Sequence, residues 1–160
     1  MKALILSDSH GNYRNVRKIL NLHNDADYII HLGDGEDDIA ELNMENPALA
    51  QKVIYVGGNC DMSMHKRTNI IEIGGIRIFL AHGDNHKVKT DKRFIAKTAA
   101  DNNCKAAFFG HTHERFNETV DGIYLLNPGS CSVQADDSKP SYALVEITDE
   151  NLSISISDIG

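Results

Sequence analysis

The sequence predicts an α/β fold in which two mixed β-sheets pack as a β-sandwich flanked by helices, within a single domain of residues 1–160. Short apolar runs alternate with helical patterns in the first half, which indicates parallel strands joined by right-handed crossovers. Hairpin signals appear from residue 69 onward. The last apolar residues alternate with polar ones, as expected for a half-buried strand.

The first half contains two predicted helices between predicted strands. The first helix spans residues 12–22 with Val16 and Leu20 on its apolar face, and the second is short and carries Ile39 and Leu42. The expected strands cover residues 4–6, 28–30 and 53–56.

The second half begins with a hairpin signal at Gly74 and Gly75. A helix is expected to begin near Thr90, and turns at 121–122 and 148–151 separate strands that we expect to be antiparallel. The strands expected before those turns cover residues 69–73, 76–81 and 106–109.

Composition excludes several classes of protein. With 41% hydrophobic and 24% charged residues, and no apolar run near the roughly 20 residues of a membrane span, we expect a cytoplasmic protein without a membrane partner. A net charge of −7 makes a general nucleic-acid partner unlikely to bind, because such binding needs a basic face. Cys60, Cys104 and Cys131 are odd in number and lack CxxC spacing, which argues against a disulfide framework and a structural zinc site.

Five short segments within residues 8–113 supply side chains that ligate metals, and each follows a predicted strand. In open α/β sheets, sites form beyond the carboxyl ends of the strands. Imidazole, carboxylate and amide groups that converge there could hold two divalent metals, which together cleave phosphoesters. The candidate metal ligands are Asp8, His10, Asp34, Asn59, His82, His111 and His113.

Spacing and ligand type refine this hypothesis. One residue separates Asp8 from His10 and His111 from His113, and in extended backbone such pairs project to the same side. A set without thiolate suits Mn²⁺, Fe²⁺, Zn²⁺, Ni²⁺ or Co²⁺. Asp34 is the natural carboxylate to bridge two ions, because the other ligands divide evenly around it.

The order of these motifs resembles that of the calcineurin-like metallophosphoesterases, whose pattern is DxH, GDxxD, GN followed by His or Cys, a lone HG and GHxH. Here Asp37 completes the GDxxD motif, and Cys60 follows Asn59 as in the small bacterial and archaeal phosphodiesterase branch. Residues 127–130, NPGS, extend the match to that branch. The resemblance covers essentially the whole chain and implies the four-layer architecture of the family.

The resemblance also implies two divalent ions per chain, with Mn²⁺ or Ni²⁺ expected first and Fe²⁺ or Zn²⁺ as alternatives. A hydroxide bridging the ions would attack phosphorus in line with the leaving oxygen. The implied function is a phosphodiesterase acting on a small phosphoester, with Asp34, Asn59, His82 and Cys60 as catalytic residues. Asp34 would be shared, while the first ion would take Asp8, His10 and His113 and the second would take Asn59, His82 and His111.

Cys60 stands where many family members have a histidine. A neutral thiol is a poorer proton donor near neutral pH than an imidazolium. We therefore expect a preference for substrates whose leaving group is already acidic, such as aryl esters.

Three alternatives stay open. The same metals would serve a phosphomonoesterase, for which Lys66 and Arg67 are the basic pair placed to meet the additional charge. A non-catalytic scaffold is the second, because a subunit of the eukaryotic retromer complex resembles this fold. A cyclic-nucleotide or nucleic-acid hydrolase is the third. The family branch also makes a homo-oligomer an expectation.

Four histidines lie outside the motifs. His31 is expected to be packed and hydrogen bonded within a strand, and His23 to be solvated, whereas His65 and His86 lie in loops that could approach substrate. The acidic residues 36–38 are interpreted as a helix N-terminal turn, with Asp37 as a candidate partner for a ligand histidine. Asn12 is expected to cap its helix, and residues 127–130 either border the pocket or form only a turn.

Overall fold

A computed structural model describes residues 1–160 of the chain, which form ten strands and four α-helices. The strands are β1 (Lys2–Leu6), β2 (Tyr28–His31), β3 (Val53–Tyr55), β4 (Thr68–Ile73), β5 (Ile76–Ala81), β6 (Ala106–Phe108), β7 (Arg115–Val120), β8 (Ile123–Pro128), β9 (Ser141–Thr148) and β10 (Asn151–Asp158). The helices are α1 (Tyr13–Leu22), α2 (Glu36–Glu45), α3 (Pro47–Ala50) and α4 (Arg93–Asp101).

The strands form two mixed sheets of five strands each. The first sheet has the order β10-β9-β1-β2-β3, and β1, β2 and β3 run parallel. The second has the order β4-β5-β6-β8-β7, and β5, β6 and β8 run parallel. Each sheet therefore has one set of three parallel strands whose carboxyl ends point the same way.

Packing between the layers comes from three apolar clusters. Side chains of both sheets meet in a central cluster that includes Ile5, Ile30, Ile78 and Phe108. The other face of the first sheet is covered by α1 and α2, and the other face of the second by α4. This helix–sheet–sheet–helix arrangement confirms the predicted fold class and the four layers that the family resemblance implies.

Local sequence explains why α1 begins where it does. The side chain of Asn12 accepts a hydrogen bond from the backbone N–H of Asn15 at 3.2 Å, so Asn12 caps the helix as expected. Tyr13, Val16, Ile19 and Leu20 then recur at helical spacing and are all buried. The helix therefore keeps one polar face toward solvent.

The structure differs from the sequence-based expectation in three details. The helix expected near Thr90 begins at Arg93, because Asp84–His86 forms a 3₁₀ turn and Lys87 takes a left-handed conformation. The short helix α3 was not anticipated. The C-terminal half is not wholly antiparallel, because β8 pairs in parallel with β6.

None of the helices combines the length and the apolar character that crossing a membrane requires.

Candidate metal centre

All five ligand-bearing segments lie just beyond strands of the two parallel sets. Asp8 follows β1, Asp34 follows β2 and Asn59 follows β3 in the first sheet. His82 directly follows β5, and the segment from His111 to His113 follows β6 in the second sheet. The seven sequence-predicted ligands therefore all lie on segments at the carboxyl ends of the parallel strands.

Three of these side chains form a buried floor, which we define as Asp8, Asp34 and His82. Their exposed fractions are only 0%, 4% and 1%. The Nε2 atom of His82 lies 3.2 Å from Oδ2 of Asp34 and 3.7 Å from Oδ1 of Asp8. Two carboxylates and one imidazole thus converge out of water, and such a grouping is stable only when something compensates the charges.

Two atoms of the floor are buried with no hydrogen-bond partner, Oδ1 of Asp8 and Nε2 of His82. Nδ1 of His82 lies 2.7 Å from the backbone carbonyl of Leu32, which accepts hydrogen bonds only. Nδ1 therefore carries a proton, so the neutral form of His82 directs the lone pair of Nε2 into the site. Unpaired buried acceptors that face one another fit the donor set of a divalent cation.

The remaining predicted residues form an exposed or half-buried rim, namely His10, Asn59, Cys60, His111 and His113. The Nε2 atoms of His10 and His113 lie 3.2 Å apart, and that of His113 lies 3.2 Å from Oδ1 of Asp8. The rings of His111 and His82 meet edge to face with centroids 5.1 Å apart. Nδ2 of Asn59 lies 3.6 Å from Sγ of Cys60.

Three groups of side chains each have ligand atoms within 4.8 Å of one another. Their members are Asp8, His10 and His113; Asp8, Asp34 and His82; and His10, Asp34 and Cys60. His111 belongs to none of these groups, although its backbone N–H donates to Oδ2 of Asp8 at 3.0 Å. Either of the first two groups could hold an ion of the hard-to-borderline class.

Five of the seven ligands have a left-handed and not an extended backbone, so the expectation that Asp8 and His10 sit on extended backbone is wrong. Positive φ angles of 54°, 45° and 58° occur at Asp8, His10 and Asp34, and of 69° and 56° at His111 and His113. Each such residue costs about 1–3 kcal/mol and persists only where its surroundings impose it. The tight turns at these residues bring the pair Asp8 and His10, and the pair His111 and His113, back over the edge of the sheets.

Two glycines let the ligand segments touch. A Cβ at Gly58 would overlap Oδ1 of Asp34, and one at Gly110 would overlap Oγ of Ser7 and lie 2.6 Å from Oδ2 of Asp8. Only glycine permits this approach of backbone to carboxylate.

Asp61 ties Asp34 to the segment that carries Asn59. Its Oδ2 accepts hydrogen bonds from the backbone N–H of Gly58 at 2.7 Å and of Asp34 at 3.1 Å, and from the Tyr55 hydroxyl at 2.7 Å. The N–H of Cys60 in turn donates to Oδ1 of Asp34 at 2.8 Å. Asp61 therefore positions ligands without facing the floor. Its place directly after Asn59 and Cys60 was the available sequence signal.

Asn127 and Ser130 perform the same task in the second sheet. The fully buried amide of Asn127 donates to the carbonyl of Gly110 at 2.9 Å and to Oγ1 of Thr112 at 3.0 Å. The Ser130 hydroxyl donates to the carbonyl of Asp8 at 2.7 Å. The NPGS segment thus clamps two ligand segments and is more than a turn.

Asp38, rather than Asp37, supports the ligands from below. Asp37 is exposed, whereas Asp38 is buried and its Oδ2 accepts from the Ser9 hydroxyl and, at 3.0 Å, from the N–H of Gly11. Nδ1 of His31 accepts from the N–H of Gly33 at 3.2 Å, so Nε2 donates to Ser9 at 3.0 Å. His31 is packed and hydrogen bonded, as expected.

The charges of the floor stabilise one another. Burial opposes ionisation of Asp8, but contacts with His10, His113 and His82 outweigh it and hold the pKa of Asp8 below its ordinary value. Burial likewise opposes protonation of His82, yet the Asp34 carboxylate raises its pKa overall. Such strongly coupled groups are typical of functional sites.

The pKa values of two rim residues are also shifted, downward for His111 and upward for Cys60. Burial, together with the nearby charge of His82, lowers the pKa of His111, which keeps its imidazole neutral. Partial desolvation and the Asp34 carboxylate raise the pKa of Cys60. The Cys60 thiol is therefore protonated and holds its proton tightly.

The other loop residues that could approach substrate are engaged elsewhere. Nε2 of His65 lies 3.0 Å from a carboxylate oxygen of Glu36, and His86 packs edge to face on Phe79. Nε2 of His23 lies 2.8 Å from the Tyr142 hydroxyl, so His23 is partnered and not merely solvated.

The family model of the calcineurin-like phosphoesterase superfamily domain matches residues 1–150 of the chain. The chain belongs to this superfamily. The sequence-based recognition is confirmed, and so is membership in a family of metal-dependent phosphoesterases. Two phosphoesterase-type relatives show how far the likeness extends.

A probable metallophosphoesterase of Mycoplasma pneumoniae is 30% identical over 156 residues, which cover 95% of this chain and 93% of the relative. Phosphodiesterase MJ0936 of Methanocaldococcus jannaschii is 30% identical over 148 residues, which cover 82% of this chain and 84% of the relative.

Solved structures of the superfamily fold give the same picture. A conserved uncharacterized protein from Streptococcus pneumoniae matches with a TM-score of 0.82 and 25% identity, covering 97% of this chain and 87% of that one. Vps29 complexed with Zn²⁺ from Entamoeba histolytica matches with a TM-score of 0.74 and 25% identity, covering all of both chains. The fold thus occurs both in phosphoesterases and in a vacuolar sorting protein.

Proposed function

We propose that the protein is a dinuclear metal-dependent phosphodiesterase that hydrolyses small phosphoesters. The observation that carries this proposal is the pair of unpartnered buried acceptors, Oδ1 of Asp8 and Nε2 of His82, which lie among the clustered ligand atoms of Asp8, His10, Asp34, His82 and His113. The likeness to a phosphodiesterase from Methanocaldococcus jannaschii supports the same reaction class.

The proposed ligand sets follow the motifs. Asp34 would be shared, while Asp8, His10 and His113 would hold one ion and Asn59, His82 and His111 would hold the other. Two divalent cations, when bound, would supply an activated water and would neutralise charge on the phosphoryl oxygens. Mn²⁺ or Ni²⁺ is proposed ahead of Fe²⁺ or Zn²⁺, all of which accept these donors.

The protein contributes orientation of the buried ligands. Leu32 fixes the tautomer of His82, and Asp61 fixes the Asp34 and Asn59 segments, so the floor is preorganised before substrate arrives. Cys60 is an exposed, neutral thiol beside Asp34, and we assign it to the side of the leaving group. It is a weak proton donor, and substrates with acidic leaving groups are therefore preferred.

A diester is favoured over a monoester because the expected basic pair is engaged. Arg67 donates to the carbonyl of Gly58 at 2.8 Å and to Asp84 at 2.5 Å, and Nζ of Lys66 donates to Asn69 at 3.2 Å. The Arg67 guanidinium is therefore committed to Asp84, and the exposed Lys66 alone would have to meet the additional charge of a monoester. Faster turnover of p-nitrophenyl phosphate than of bis-p-nitrophenyl phosphate would reverse this preference.

A non-catalytic scaffold is the second candidate, because a Vps29 with bound Zn²⁺ shares the fold. Metal binding alone therefore does not separate the two candidates. The deciding experiment is hydrolysis of bis-p-nitrophenyl phosphate by protein that has been stripped with chelator and reloaded with Mn²⁺ or Ni²⁺. Activity that returns with metal supports the enzyme, whereas two bound ions per chain without turnover would favour the scaffold.

A further inference from the structure

A basic groove lies beside the metal centre, between α1 and α2. We define it by Gly11, Arg14, Arg17, Lys18 and Glu41, which line a cavity of about 790 Å³ together with their neighbours on α1. It is larger than the cavity beside α4, of about 510 Å³. No residue of the proposed metal site lines it.

The groove adjoins the segment that carries the candidate ligand His10. Gly11 directly follows His10, and its N–H donates to the buried Asp38 at 3.0 Å, so this end of the groove is anchored to the ligand segment. A Cβ at Gly11 would meet no atom within 4 Å, which means that the space above it is open. A ligand at the metals could therefore extend over Gly11 into the groove.

The groove carries a local excess of positive charge, although the net charge of the whole chain is −7. Arg14 and Lys18 are four residues apart on one face of α1 and take part in no salt bridge, while Nε of Arg17 lies 3.4 Å from Glu45. Like charges at this spacing repel, and Arg14 stands in the first helical turn, where the helix dipole disfavours a cation. The arrangement is unfavourable for the helix alone and becomes favourable when an anion binds.

We propose that this groove binds a second phosphate group of the substrate, so that the preferred substrates are small phosphodiesters that carry an additional phosphate monoester. The inference rests on the proposed function. Four residues of α-helix, a rise of about 6 Å, separate Arg14 from Lys18, so both side chains can meet a single phosphate. Arg donates in a planar fork that matches phosphate oxygens, and Lys adds a point charge.

A small ligand fits better than a nucleic-acid strand. Glu41 lies on the wall of the groove, and Glu45 already pairs with Arg17, so the positive surface is short. Binding a strand needs a positive track that follows many phosphates. The groove provides two free cations, which suffice for one phosphate.

The test compares two thymidine esters, thymidine 5′-p-nitrophenyl phosphate and the same ester with a 3′-phosphate. Release of p-nitrophenol reports cleavage of the diester in both. For the metal-loaded wild type, we expect the KM of the 3′-phosphorylated ester to be about tenfold lower than that of the ester without the 3′-phosphate. A charge-assisted hydrogen bond contributes a free energy that corresponds to about this factor. In the Arg14→Gln/Lys18→Gln variant we expect the two KM values to become equal.

The matched control is Arg93→Gln/Lys97→Gln, which removes two positive charges at the same spacing from the exposed face of α4. It should keep the tenfold advantage. Equal KM values in the wild type, or an equal loss of the advantage in the control, would overturn the proposal. So would a groove variant that weakens binding of single-stranded oligothymidylate but leaves the KM ratio of the two esters unchanged.

Failure of the proposed function would look different, because the wild type would then release no p-nitrophenol from either ester. Calorimetric titration of the same metal-loaded protein with thymidine 3′,5′-bisphosphate would still test the groove. We expect weaker binding in Arg14→Gln/Lys18→Gln than in the α4 control. Equal affinities would overturn the groove proposal.

Discussion

The floor and the rim of the candidate metal centre are built in different ways. Each residue of the floor is almost fully buried, and a backbone N–H or a backbone carbonyl of a neighbouring segment holds it in place. The rim is open to solvent, and its side chains contact mainly the floor and one another. The protein therefore preorganises the buried carboxylates, whereas the exposed imidazoles become ordered when metal or substrate binds.

Removing a charge from the floor should have the largest effect. Asp34→Asn is expected to lower hydrolysis of bis-p-nitrophenyl phosphate by about 1000-fold, at the upper end of what one electrostatic group contributes in a preorganised site. Elemental analysis should show that bound metal per chain also falls. The matched control is the exposed Asp37→Asn, which should retain both activity and metal. A fully active Asp34→Asn protein would contradict the proposed bridge.

The support of the floor should depend on pH. The pKa of His31 is held at about 4 by burial, against an ordinary value of 6.5, so the unfolded chain binds this proton more readily. The free energy of unfolding of the metal-free protein should therefore fall as the pH drops from 6.5 to about 4, by about 3 kcal/mol from this residue.

Urea unfolding of the metal-free wild type and His31→Gln at several pH values measures this contribution. The variant should lose less stability over that interval than the wild type does. Parallel pH profiles for the two proteins would show that His31 is not the source.

The clamp on the second sheet should have a moderate effect. Asn127→Ala leaves the carbonyl of Gly110 and the hydroxyl of Thr112 without their donor, and a lost buried hydrogen bond costs about 1–3 kcal/mol. Metal affinity should also fall by about 10–100-fold, as for other partners that position ligands. Urea denaturation and metal titration measure the two effects. Asn117→Ala, at an exposed site on β7, is the control and should change neither.

The smallest change is expected on the rim. Cys60→His would introduce a better proton donor and should speed hydrolysis of diesters with poor leaving groups by about tenfold, a fraction of what general acid catalysis can give. Rates across a series of aryl diesters should then depend less steeply on leaving-group pKa. Cys60→Ser, which adds no donor of comparable acidity, should keep the steep dependence. A flat dependence in the wild type would mean that another residue supplies the proton.

The outcome of the sequence interpretation differs between the floor and its supports. The ligands could be predicted from the sequence, because each motif follows an apolar run and the carboxyl ends of parallel strands meet at one edge of a sheet. The contacts that hold the ligand segments in place could not be predicted, because Asn127 contacts Gly110 and Ser130 contacts Asp8 across long separations in the chain. Asp37 and Asp38 are neighbours, and only the rotation of α2 decides which of them is buried.

The sequence by itself determined the fold class, the family and the identity and order of the candidate ligands, because these depend on residue types and on their periodicity. Tertiary structure decided the left-handed backbone at Asp8, His10 and Asp34, and the engagement of Lys66 and Arg67 away from the site. It also decided that α1 and α2 enclose a basic groove next to His10. Each of these depends on contacts between segments distant in the chain, which local propensity does not encode.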